Sequence, residues 1–210
     1  MSTLALHVVA LCACGCYVLS IAATYITAQA LSLVKTRTPM LCNMSAPMPA
    51  YAVFCTGASV TGGLIVACAV LYHLMAQESY AILCLGIACG ILLPLLGFID
   101  IDRFPKAHGV VVAVLFAVAF PFMITITIKD MVHQRVPVWV TGLRWGIVGL
   151  MLLTSYASLG CSLLAKRAKS KIHDELYRSQ TIRWHMRFAA LAQYTVHLCV
   201  AAYLATVTAS

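Results

Sequence analysis

Apolar positions in this chain neither alternate nor recur at amphipathic spacing; they run on without interruption. Six stretches are continuously hydrophobic: about Leu4–Leu31, Ala50–Met75, Tyr80–Ile99, His108–Ile128, Val138–Ala165 and Phe188–Thr208. A helix crossing a hydrocarbon core of about 30 Å needs roughly 20 mostly apolar residues at about 1.5 Å each. All six satisfy that requirement, and only short connections remain between them. The pattern predicts an all-α fold, a polytopic transmembrane bundle of six helices forming a single domain over residues 1–210. A barrel wall would need two-residue alternation, which these runs lack.

Composition agrees. Hydrophobic residues make up 62% of the chain and charged residues 10%, against roughly 45–50% and about 25% in soluble domains. So few charges could not cover a water-facing surface, which excludes a soluble enzyme, a DNA-binding domain and a disordered chain. The net charge of +8 does not imply nucleic acid, because no aromatic-interleaved basic groove accompanies it. Ala28-Gln29-Ala30 resembles a signal cleavage site. No positive residue precedes the first run, however, and that run exceeds the roughly 7–15 residues of a signal h-region, so a retained helix is expected.

Two prolines lie inside spans, Pro94 in the third and Pro121 in the fourth. Each removes a backbone donor, so a kink is expected, with the freed carbonyl facing protein. Gly86-Ile-Ala-Cys-Gly90 and Gly142-Leu-Arg-Trp-Gly146 place small residues four apart, predicting close helix contact at both.

Orientation signals conflict. Six spans put both termini on one side, where Lys129, Arg135 and Arg144 lie. The other eleven of the fourteen Lys and Arg fall in loops one, three and five. The positive-inside rule places those loops in the cytosol. Yet the only asparagine, Asn43, begins the sequon Asn43-Met44-Ser45 in loop one, and a glycan there requires the lumenal or extracellular side. Loop five, Lys166 to Arg187, carries seven basic residues against Asp174 and Glu175. It reads either as a solvated linker or as a segment drawn to anionic lipid.

Eight of the ten cysteines fall within spans, where a thiol behaves as a small apolar group. Cys12-Ala-Cys14-Gly-Cys16 would scatter its thiols around a helix and is expected to pack in the core rather than hold metal. Cys42 and Cys55 flank the end of loop one and could pair as a disulfide if that loop is lumenal. The seven histidines show no zinc-ligand spacing and no pair at matched depth for haem. No metal or cofactor is expected.

Ionisable and polar groups inside spans are costly and therefore informative. Arg144 sits about two turns into the fifth span. His108 opens the fourth, preceded by Asp100 and Asp102, while Gln193 and His197 lie one turn apart in the sixth. Two readings stand. In one, Arg144 snorkels to headgroup phosphates and Gln193 makes an interhelical hydrogen bond. In the other, these groups form a polar pocket that holds a lipid headgroup.

The order of several short motifs carries a family resemblance. These are Pro49-Ala50-Tyr51-Ala52-Val53-Phe54 entering the second span, Leu71-Tyr72-His73 leaving it, Gly97-Phe98, then Ala107-His108-Gly109. Arg144-Trp145 and Gln193-Tyr194 follow in the fifth and sixth spans. In this order the chain resembles the DRAM/Frag/Sfk family of six-span membrane proteins, which includes the damage-regulated autophagy modulators and a Golgi protein of GPI-anchor lipid remodelling. The family's Ser-Asp-x-Gly signature in loop one is absent. Gln193 stands where an acid is expected, removing a charge that would have countered Arg144, and loop five is more basic than usual.

The resemblance implies a lumenal or extracellular loop one with cytosolic termini, in accord with the sequon and against the charge count. It also implies a non-enzymatic modulator of lipid homeostasis or autophagy, in lysosome, Golgi or plasma membrane. Its partners would be membrane lipids and a membrane-protein partner, with no nucleic acid. A rival reading is a GPI-lipid remodelling factor or intramembrane lipid enzyme using His108, Asp100, Asp102 and His73 as acid–base groups. A small-solute transporter is the third, disfavoured by the absence of repeat-related halves.

Overall fold

The computed structural model describes residues 3–34, 39–76, 80–171 and 175–207. Lys35, Arg37, His173, Asp174 and Thr208, which entered the charge and span patterns above, lie outside the described residues. Among the described residues seven helices follow in order: α1 (Thr3–Ala30), α2 (Leu41–Met44), α3 (Ala50–Ala76), α4 (Tyr80–Phe98), α5 (Pro105–Val132), α6 (Val138–Lys171) and α7 (Glu175–Thr206). All but α2 are long and apolar enough to cross a membrane. The chain is an integral, multi-pass membrane protein with an all-α bundle.

The six long helices pack as a ring in which α1 lies against α3 and α7, α4 against α3 and α5, and α6 against α7. Contact between α5 and α6, which would close the ring, is the least extensive of these. Exposed apolar side chains such as Leu19, Val110, Leu153 and Leu198 face outward, as lipid solvent permits. The interior holds Leu6, Ile82, Ile126, Met151 and Val196.

Local chemistry explains the tightest contact. Pro94 cannot donate to the carbonyl of Gly90, so that oxygen is free. It lies so close to Gly62 of α3 that a β-carbon at Gly62 would collide with it, and one at Gly90 would stand 2.6 Å from the Gly62 carbonyl. Two glycines thus let α3 and α4 approach closely enough to bury the orphaned oxygen. Gly86 belongs to the same contact, its side facing Ala69. The second small-residue pair behaves differently: a β-carbon on Gly142 or Gly146 would meet nothing within 4 Å. These two glycines are exposed and face away from the bundle.

The described residues of loop five are helical. α6 continues to Lys171 and α7 begins at Glu175. Lys, Arg, Ala and Ser support a helix, and no Gly or Pro interrupts them. Ala165 and Ala168 are buried while Lys166, Arg167 and Lys169 are exposed, an amphipathic pattern without a long apolar run. At 1.5 Å per residue the 34 residues of α6 extend about 51 Å, well past a hydrocarbon core of about 30 Å. Trp139 at one end of α6, and Trp184 with Phe188 on α7, are exposed as aromatic belts are at membrane interfaces. The exposed Lys166, Arg167, Lys169 and Arg183 lie on the described parts of α6 and α7 toward this second belt.

Candidate functional site

The first feature is a buried ionic clasp at the end of the bundle where the termini lie. Arg144 and Asp130 are both fully buried, with Nη1 donating to Asp130 Oδ2 at 2.6 Å. Arg144 Nε donates to Thr206 Oγ1 at 3.0 Å and Nη2 to the Thr206 carbonyl at 2.9 Å. Tyr72 donates to the other carboxylate oxygen at 2.6 Å, and Arg135 approaches that oxygen at 3.8 Å while donating to the Tyr72 hydroxyl. The Arg144 guanidinium also lies over the Tyr203 ring, 5.7 Å from its centroid. One guanidinium fork therefore ties α5, α6 and α7, and the tyrosine adds α3. The snorkelling expected of Arg144 does not occur. Its countercharge is Asp130, so the missing acid at Gln193 leaves no deficit.

The second feature is a chamber of about 840 Å³ in the interior, within the roughly 300–1,000 Å³ typical of small-molecule sites. Phe116, Phe120, Phe122, Leu93, Leu152 and Val200 supply much of its wall. Its polar groups include Tyr17, His197, His108, Gln193, Ser45, Tyr156 and a stripe of Ser155, Ser158 and Ser162 on α6, together with Tyr72 and Tyr203 of the clasp. No Lys, Arg, Asp or Glu is among the described residues that line it. Several lining residues are also exposed sideways, namely Ala113 and Ala117 on α5 and Tyr156 and Leu159 on α6. The chamber opens laterally through the thin α5–α6 seam.

Loop one covers one end of it. α2 buries Leu41 and Met44, which pack with Ala28, Ala50 and Phe54. Gln193 Oε1 accepts the Leu41 N–H at 3.0 Å, satisfying one of the orphan donors of the α2 N-terminus. Tyr194 donates to the Pro39 carbonyl at 2.8 Å. Gln193 does make a contact between elements, but with this short covering helix. Burial pushes the Cys42 thiol above its ordinary value.

Deep in the chamber, the Tyr17 hydroxyl and His197 Nδ1 are hydrogen-bonded at 2.5 Å across α1 and α7. The other ring nitrogen, Nε2, is buried and has no hydrogen-bond partner among the described residues.

The remaining candidates separate. Asp100 accepts the Asp102 N–H at 2.8 Å and pairs with exposed Arg103 at 3.6 Å. His108 lines the chamber, but its Nδ1 bonds the Ile99 carbonyl at 2.7 Å; a carbonyl only accepts, so Nδ1 carries the proton. His73 packs on the Tyr80 ring. The structure therefore does not bring Asp100, Asp102, His108 and His73 into one catalytic cluster. Cys42 and Cys55 are free thiols, with Cys55 donating to the Gly97 carbonyl. Asn43 is exposed. Of the cysteine triplet, Cys14 faces inward and donates to the Ala201 carbonyl, whereas Cys12 is exposed rather than in the core.

Sequence reasoning missed Asp130 and Tyr17. Asp130 carried a usable signal: it and Arg144 each lie seven residues from Pro137 in the α5–α6 turn, which places them at matched depth on antiparallel helices. Tyr17 carried none. Compared with protein-family models, curated proteins and solved structures, the chain finds no match.

Proposed function

We propose that this multi-pass membrane protein is a non-enzymatic modulator of membrane lipid composition that admits a lipid into its chamber through the α5–α6 seam. The observation that carries this reading is the lateral opening: Ala117 and Tyr156 line the chamber and are exposed at its side. A ligand dissolved in the bilayer reaches such a mouth without passing through water. Resemblance to the DRAM/Frag/Sfk family supports a role in lipid homeostasis or autophagy at lysosome, Golgi or plasma membrane. The exposed basic residues Lys166, Arg167, Lys169, Arg183 and Arg187, beside Trp184 and Phe188, form a second lipid-facing surface for anionic headgroups if that end is cytosolic.

The test is a lipid inventory of cells lacking the protein, followed by rescue. Wild-type protein restores the composition of the membrane in which it resides. Ala117→Trp, which fills the mouth, does not, at equal abundance and in the same compartment. Equal rescue by both would overturn the proposal.

A further inference from the structure

We infer that the chamber takes an uncharged lipid with a hydroxyl head, the chemistry shared by sterols and diacylglycerols, and holds that hydroxyl against the Tyr17–His197 pair. This rests on the lipid-chamber reading above and narrows it to a class.

Charge decides first. A phosphate-bearing head would enter a space whose described lining holds no cation. Arg144, whose guanidinium lies over the chamber-lining Tyr203 ring, is fully buried and already paired with Asp130. A desolvated anion without a partner is strongly disfavoured, whereas a hydroxyl needs only a hydrogen bond.

Depth decides second. His197 stands nine residues before Thr206, the end of α7, and Tyr17 thirteen residues after Leu4, where the first apolar span begins. At 1.5 Å per residue these positions lie about 14–20 Å along their helices, near the middle of a core of about 30 Å. An uncharged head can reach that depth at far lower cost than a charged one.

Hydrogen-bond chemistry decides third. Nε2 of His197 is a buried polar atom without a partner among the described residues, on a residue that lines the chamber. Whichever tautomer the Tyr17 hydrogen bond selects, Nε2 is left as either a donor or an acceptor. A hydroxyl can serve both roles, while an ester or ether oxygen can only accept. The stacked Phe116–Phe120 pair, with centroids 5.8 Å apart, offers an apolar face to the ring system or chains that follow the head.

Full-length protein in phosphatidylcholine nanodiscs would be labelled with a photoactivatable sterol and, separately, a photoactivatable diacylglycerol. Competitors are the unlabelled parents, the sterol methyl ether and phosphatidylserine. The expected result is labelling of α5, α6 or α7 peptides by at least one probe. Its hydroxyl-bearing parent competes, and phosphatidylserine at equal mole fraction does not; the more effective parent identifies the source. Where the sterol is the ligand, its ether competes poorly. His197→Phe lowers the apparent affinity about tenfold, the scale of one lost buried hydrogen bond, and His197→Gln recovers part of it. Should His197→Phe not remain monodisperse, Tyr17→Phe carries the same arm. Competition by phosphatidylserine equal to that of the parent, or indifference to the ether and to both variants, overturns the hydroxyl assignment and leaves the lipid chamber standing. Absence of labelling by both probes likewise overturns the hydroxyl assignment, and the Ala117→Trp rescue then decides the lipid chamber separately.

Discussion

Removing one member of the Arg144–Asp130 pair should harm the protein more than removing both. Each side chain is fully buried, and Nη1 and Oδ2 are 2.6 Å apart. Asp130→Leu removes the carboxylate on which the Arg144 guanidinium rests and leaves its hydrogen bonds to Thr206. Arg144→Met leaves a buried carboxylate with Tyr72 and the more distant Arg135. Breaking a buried pair from one side costs about 3–5 kcal/mol because the surviving charge is uncompensated. For a chain of this size that corresponds to an apparent Tm lower by roughly 6–20 °C. The double variant leaves the Tyr72 hydroxyl and the Thr206 oxygens without their charged partner, and Arg135 without Asp130, but Arg135 is partly exposed and keeps its hydrogen bond to Tyr72. Its loss should be no larger than that of either single variant. Melting followed with a thiol-reactive fluorophore reads this directly, since Cys55, Cys68, Cys89 and Cys199 are buried and react once the bundle opens. A double variant with a loss near the sum of the two single losses would refute the clasp.

Three further outcomes follow from other contacts. Gly62→Val should destabilise the α3–α4 pair by about 1–3 kcal/mol, the range for overpacking, because its side chain meets the Gly90 carbonyl and Pro94; the same fluorophore assay should show a lower Tm. Gln193→Ala removes the acceptor of the Leu41 N–H and should loosen α2. Because burial raises the Cys42 pKa, its thiolate fraction at neutral pH is below that of an exposed thiol. Alkylation of the Cys42 peptide, read by mass spectrometry, should therefore be slow, rise with increasing pH, and be faster in Gln193→Ala. Asn43→Gln should abolish a glycosidase-sensitive gel shift if loop one is lumenal, and absence of a shift in the wild type favours the orientation given by the basic residues.

How legible these features were depended on how far each signal reached along the chain. The spans were plain because an apolar run needs no partner to be recognised; α3 and α4 begin where the pattern predicts. α5 begins at Pro105 rather than His108, since proline suits the first turn, where its missing N–H is not needed. The α6–α7 hairpin was obscured because Ala165 and Ala168 are buried between polar neighbours, and two small residues do not make an apolar run. Gly86 and Gly90 read correctly, yet Gly142 and Gly146 have the same spacing and face outward; spacing alone cannot say which side of a helix has a neighbour. The Tyr17–His197 pair joins residues 180 positions apart, with nothing local to either that marks the other.

The distribution of polarity between clasp and chamber explains why the α5–α6 seam can serve as a mouth. Near the turn, Asp130 and Arg144 bind the two helices together with a pair that cannot be separated cheaply in lipid. Farther from the turn the chamber-lining residues include Ala113 and Ala117 on α5 and Ser155 and Ser162 on α6, beside Tyr156 and Leu159, which are exposed at its side. Small side chains interdigitate little, so dispersion attraction across this part of the seam is weak. Strong attraction at one end and weak attraction along the rest allow the helices to part without dissociating. The same pairing neutralises a fully buried guanidinium that would otherwise draw phosphate toward the interior. What remains to recognise a ligand is uncharged: a tyrosine–histidine pair, a few serine hydroxyls and aromatic walls. Selectivity against charged headgroups thus follows from where Asp130 sits, outside the chamber it governs.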